Sequence, residues 1–145
     1  MKYISVFLLL ILFSCSFNTY RENKEEDKIE AEKITENFYE ITKSDNPSNF
    51  LPLFSDDFFK ITDKESFVKL FNETNNKYGK ILRDSLIHWE TLVVEGNNPK
   101  AEYLLVYEVR RRNTNSQEYF TLHKEKGDIK IFEYHVNIDT LSTKK

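Results

Sequence analysis

Two patterns in the 145-residue chain predict an α+β fold, with three N-terminal helices packed on a curved four-stranded antiparallel sheet. Apolar residues recur at helical spacing as far as Tyr78, and from Leu86 onward they alternate with the period of two that belongs to strands. Short segments rich in Gly, Asn, Asp and Pro separate the strand-like runs, which favours a meander over parallel crossovers. Composition frames this reading. At 39% apolar and 14% aromatic the chain can build one core, and its length excludes two ordinary domains. A single cysteine excludes an intramolecular disulfide and a Cys-built zinc site. A net charge of −3 argues against nucleic acid as a partner, because backbone binding needs a surplus of Lys and Arg.

The N-terminus stands apart from these averages. Of the first 14 residues 11 are apolar, Lys2 is the only charge, and no carboxylate appears before Glu22. The apolar run Ile4 to Phe13 would rise roughly 15 Å as a helix, about half the hydrocarbon thickness of a bilayer. That length suits the core of a signal peptide, not a membrane span. The run closes on Leu12-Phe13-Ser14-Cys15, which resembles the processing site of a bacterial lipoprotein, with Phe13 bulkier than usual. The resemblance implies cleavage between Ser14 and Cys15, a diacylglyceryl thioether on Cys15, and an acyl chain on the new N-terminus. It places the protein in the bacterial cell envelope, bound to a membrane. Ser16 in place of Asp points to the outer membrane where the cell has two. Removing residues 1–14, with Lys2 their only charge, leaves 131 residues and moves the net charge from −3 to −4.

Residues 15–27 read as a lipidated N-terminus and flexible tether, since SFNTYRENKEED carries no apolar period. Twelve extended residues would reach about 40 Å. The domain itself is expected over 28–139, and 140–145 as a disordered tail. A first helix begins near Lys28, with Ala31, Ile34, Phe38 and Ile41 on one face, and ends before Pro47. A short helical turn follows, burying Phe50, Leu51 and Phe54, with Pro52 tolerable only in a first turn. Asp56 and Asp57 read as a turn that ends it. The third helix opens on a capping box of Thr62 and Glu65. It points Phe67, Leu70, Phe71, Thr74 and Tyr78 inward and stops at Gly79 in a left-handed cap.

Four strands follow, over 86–95, 100–112, 117–124 and 129–136. In the second, Tyr103, Leu105, Tyr107 and Val109 share the face opposite Glu102, Leu104, Val106 and Glu108. In the last, Ile129 and Ile131 oppose Lys130, Phe132 and Tyr134. Both faces carry apolar residues, so the outer face is expected to be covered, for example by a second copy of the chain.

Three helices before a curved antiparallel sheet resemble the nuclear-transport-factor-2-like, or cystatin-like α+β, cone, over roughly Lys28 to Asp139. The residues that carry the likeness are the opening amphipathic helix, the run NFLPLFSDDFFK from Asn49 to Lys60 and the closing run EYFTLHKEKGDIKIFEYHVN from Glu118 to Asn137. Ile129 stands where that family usually has tryptophan. The resemblance implies a pocket between helices and sheet, and many bacterial members are small envelope lipoproteins. Enzymatic relatives use an Asp or His base opposite Tyr or Asp donors. Here Asp56, Asp57, His88, Tyr103, Tyr107 and His123 are the residues that could serve, and helix termination accounts for the aspartates without chemistry.

Other candidates have plain structural readings. His88, His123 and His135 have no diagnostic metal spacing, so no metal and no cofactor is expected. Arg110, Arg111 and Arg112 are split between two faces by strand alternation and read as a solvated, edge-protecting cluster. Trp89, Tyr103, Tyr107, Phe120 and Tyr134 could line a pocket for a small apolar ligand, or form plain core. The function expected is a non-catalytic ligand-binding or protein-interaction module at a membrane. Its expected partners are the bilayer, a second copy through the sheet, and an envelope protein or a small apolar ligand. The alternatives are a small isomerase- or cyclase-like enzyme, or an inhibitor or immunity protein.

Overall fold

Long β-rich runs joined by tight turns pair with their sequence neighbours, and the sheet order is therefore the chain order, β1-β2-β3-β4-β5, antiparallel throughout. The computed structural model describes residues 18–44 and 47–139. The signal segment, the cleavage and lipid-attachment residues Ser14 and Cys15, and the tail 140–145 lie outside the described residues. The strands are β1 Thr19–Glu22, β2 Ile81–Glu95, β3 Lys100–Arg111, β4 Asn115–Glu125 and β5 Asp128–Ile138. The helices α1 Glu25–Lys43, α2 Asp56–Ile61 and α3 Lys64–Tyr78, with a 3₁₀ segment Pro47–Leu53, precede β2. The α+β class holds, with five strands in place of four.

The added strand comes from the segment read as tether. TYRE has no alternating apolar signal, but β2 is 15 residues long and its end offers free backbone groups to β1, with Thr19 opposite Glu95 and Glu22 opposite Leu92. Arg21 then joins this strand to helix and sheet, reaching Asp27 at 3.0 Å and Glu95 at 2.6 Å.

Helix α1 packs by a face rotated from the expected stripe. Ala31 and Phe38 are buried, but Thr35, Tyr39 and Thr42 fill the rest, while Ile34 and Ile41 are only partly covered. Thr35 and Thr42 can be buried because their hydroxyls bond the carbonyls of Glu32 and Tyr39. The 3₁₀ segment accommodates Pro52 and buries Phe50, and Phe54 is buried just after it. Asp56 and Asp57 start α2 instead of ending a helix, because Ser55 caps it by accepting from the Phe58 N–H at 3.1 Å. The cap of α3 is Asp63, not Thr62. The Thr62 N–H is already taken by the Phe58 carbonyl, so a capping box there would have no donor to satisfy. Leu70, expected inward, is 61% exposed.

Register breaks shape the sheet. A bulge between Thr121 and Leu122 of β4 and their partners in β5 inserts Phe132, which reverses the phase of the strand. Ile129 and Ile131 point inward before it, and Tyr134 points inward after it, not outward with Lys130 as simple alternation requires. Gly79 ends α3 with positive φ as expected. Its φ of 88° and ψ of 156° lie outside the left-handed helical region, in a zone essentially restricted to glycine. A Cβ there would sit 2.6 Å from the Cβ of Arg112. Gly79→Ala is expected to lower unfolding free energy by about 1–3 kcal/mol from backbone strain alone, read as a shifted urea midpoint with unchanged slope.

Candidate functional site

The interior between helices and sheet is closed by rings. Phe38 of α1 lies at its centre, with ring centroids 5.5 Å from Tyr39, 5.4 Å from Phe50, 5.2 Å from Phe120 and 5.2 Å from Tyr134. Edge-on contacts dominate, the arrangement that suits the ring quadrupole.

At one end of this core sits a buried ion pair. The β3–β4 turn is closed by the Arg111 N–H bonding the Thr114 carbonyl, and it sends Arg111, Ser116 and Glu118 to the inner face. Arg111 Nη2 donates to Glu118 Oε1 at 2.6 Å, with the two side chains 1% and 0% exposed. Its Nε donates to Ser116 Oγ at 3.1 Å and its Nη1 to Asn75 Oδ1 at 2.8 Å. Glu118 Oε2 accepts from Tyr134 Oη at 2.7 Å and Tyr39 Oη at 3.2 Å. Burial, with the Glu118 carboxylate beside them, holds Tyr39 and Tyr134 far above the ordinary phenol range. Both hydroxyls are therefore fixed as donors, and Glu118 is held as their acceptor. Outside the pair, Phe67, Leu70, Phe71, Thr74, Arg111 and Tyr134 line a cleft of about 230 Å³.

The structure scatters the residues that sequence singled out. Asp56 and Asp57 lie exposed at the start of α2, away from the Arg111 cleft, and Asp57 pairs with Lys60. Tyr103 and Tyr107 face the core: Tyr107 Oη lies 2.6 Å from Thr35 Oγ1, and burial pushes the Tyr103 hydroxyl up to about 12. Tyr107, Phe120 and Tyr134 join one aromatic cluster, Phe120 being 5.8 Å from Tyr107 and 4.8 Å from Tyr134. Trp89, half-buried opposite Leu105, packs against the rim of the core with Lys28 over its ring at 5.7 Å. The arginines divide as alternation requires, Arg110 and Arg112 exposed and Arg111 buried. The cluster protects no edge, however, because β3 is central and Arg111 is committed to Glu118. Sequence reasoning placed Glu118 at the start of the closing run and gave it no role in a site. Its signal was a lone carboxylate in phase with Phe120 and Leu122 on the apolar side of a strand.

The outer face is a different surface. His88, His123 and His135 all lie on it but apart, His88 and His135 at opposite ends of one register row and His123 two rows away: His88 pairs Glu90 at 2.9 Å, His135 bonds Asn137, and His123 stacks on Phe132 at 4.3 Å. Among the described residues no group of three His, Cys, Asp or Glu is placed to hold a metal. Between the histidines, Val106 is buried, and Leu92, Leu104, Tyr119 and Phe132 are half-buried, although no helix among the described residues covers them. Toward β1 a cleft of about 450 Å³ opens, bordered by Glu22, Asn23, Glu90, Thr91, Glu102 and His123. No protein-family model, no curated protein and no solved structure matches the chain.

Glu118→Gln leaves the Arg111 cation buried without its counter-charge and is expected to cost about 3–5 kcal/mol in urea unfolding, while Arg111→Met with Glu118→Leu recovers most of it. A single variant as stable as the parent would remove the pair from the list of fold determinants. A second outcome concerns alkali. Because Tyr39, Tyr103, Tyr107 and Tyr134 all ionise higher in the fold than the ordinary phenol value near 10, their contribution is complete below that pH and is lost as pH rises through it. Tyrosinate absorbance from these four should therefore appear together with loss of the circular dichroism signal. Full ionisation in an intact fold would contradict this.

Proposed function

We propose that the chain is a bacterial envelope lipoprotein, anchored through lipid on Cys15, whose domain is a non-catalytic interaction module of the nuclear-transport-factor-2-like kind. The observation that carries this reading is the contrast between the two faces of the sheet. Inside, both oxygens of Glu118 and all three guanidinium nitrogens of Arg111 are engaged, and aromatic rings fill the space a substrate would need. A general base must be free to take a proton, and this carboxylate is spoken for by four donors. Outside, half-buried Leu104, Tyr119 and Phe132 surround Val106, an apolar stripe in a frame of charge.

The stripe suits a second copy. Across the sheet, one register row reads Glu90, Leu104, Thr121, Glu133 and the next reads His88, Val106, Tyr119, His135. A copy turned by half a revolution about an axis between these rows lays each carboxylate over a histidine and each apolar centre over its neighbour's. Glu102, which would then approach Glu108, already holds Lys100 at 2.7 Å.

The test uses the processed protein in its own membranes, with a photo-crosslinking residue at Tyr119 or, on the helical side, at Leu70. Position 119 is expected to give an adduct of twice the chain mass, suppressed by Leu104→Glu, and position 70 none. An adduct at 70 alone would move the function to the cleft beside Arg111. Cys15→Ala is expected to shift the protein from the membrane to the soluble fraction, and unchanged partitioning would refute the anchor.

A further inference from the structure

We infer that the lipid holds the domain upright, with the turn between β2 and β3 as its bilayer-facing end and the β3–β4 turn pointing away. The inference rests on lipidation of Cys15 and adds what the anchor does to orientation. Its basis is how early the chain becomes part of the fold. Only Ser16 and Phe17 separate Cys15 from Asn18, whose Oδ1 accepts the Asn97 N–H at 3.1 Å. The strand β1 starts at the next residue, with Thr19 opposite Glu95. Three Cα steps span about 11 Å at most, a leash far shorter than the domain.

The leash ends at a fixed point. Asn23 exchanges two bonds with Thr91, its N–H to the Thr91 carbonyl and its Oδ1 from the Thr91 N–H, both 3.0 Å. With Arg21 bridging Asp27 and Glu95, β1 moves with the domain and adds no slack. The far end is distant: β3 runs from Lys100 to Arg111, and its 12 residues extend about 36 Å at the usual strand rise.

A short leash alone would allow the domain to lie on its outer face. Charge does not favour that pose, because Glu90, Glu102, Glu108 and Glu133 project from this face and Lys100 and Arg110 only partly offset them, so an anionic bilayer gains no net attraction. The β2–β3 turn is better suited to contact. Gly96, Asn97, Asn98 and Pro99 carry no charge, Lys100 follows them, and nearby Tyr20 is 66% exposed, an aromatic of the kind that settles at headgroup level. Upright, the 450 Å³ cleft beside Glu22 and Asn23 opens close to the membrane.

The experiment takes the full processed lipoprotein in vesicles of phosphatidylcholine and phosphatidylglycerol, labelled at Asn98→Cys or Asn113→Cys with a fluorescent donor, against acceptor-labelled headgroups. The native sulfur is blocked as a thioether, so each variant labels at one site. Energy transfer is expected to be several-fold greater from position 98 than from 113, and a twelve-residue Gly/Ser insertion between Ser16 and Phe17 should abolish the difference. Equal or reversed transfer in lipidated protein overturns the orientation while leaving the anchor intact. An N-terminal peptide of unlipidated mass overturns the anchor, and the orientation with it.

Discussion

The Arg111–Glu118 pair is the constraint to which the other elements answer. Two ions taken out of water need nearly all their hydrogen bonds supplied by protein. Here the donors and acceptors come from every layer: Tyr39 from α1, Asn75 from α3, Ser116 from β4 and Tyr134 from β5. No subset of these elements can satisfy the pair alone. Apolar side chains of the same volume could give similar stability, so the distinctive contribution of the pair is register. A one-residue slip of β4 would turn Glu118 to the outer face and leave Arg111 charged and alone in the core. Correct pairing and correct solvation are the same event.

That constraint explains why the sheet tolerates irregularity in β5. Regular alternation would carry Tyr134 outward, away from Glu118, and leave Oε2 with one phenol in place of two. The bulge at Phe132 restores the phase, and the displaced ring finds a partner on the outer face by stacking on His123. A single extra residue therefore satisfies the buried carboxylate and adds an aromatic to the outer-face stripe.

What could be read from sequence follows from which interactions are local. Turn chemistry and alternation placed four strands and their order, because both signals lie within a few residues. The stripe of α1 was read from Ile34 and Ile41 and missed Thr35, Tyr39 and Thr42, whose burial depends on partners made after folding, some of them distant in the chain. β1 was invisible because its only template is the far end of β2, some 70 residues away. Glu118 was given no role in a site because a carboxylate inside a strand reads as surface unless its counter-ion, seven residues earlier, is known to turn inward. In each case the missing information was a long-range partner, not a local propensity.

The same division assigns roles to the two faces. A buried polar network that is fully satisfied is rigid, since any movement leaves a charge or a phenol without a partner. Such a network is a poor place for chemistry that must break and remake hydrogen bonds. The outer face has no such obligation. Its histidines pair with neighbours that are themselves half exposed, so those contacts can be exchanged for contacts with another molecule at little cost. With β1 locked to the sheet and three residues separating it from the lipidated cysteine of the proposed anchor, that face would be presented at fixed height beside the bilayer. Copies confined to one membrane and held at one height would meet face to face far more often than copies free in solution, so a modest apolar stripe would be sufficient for the proposed association.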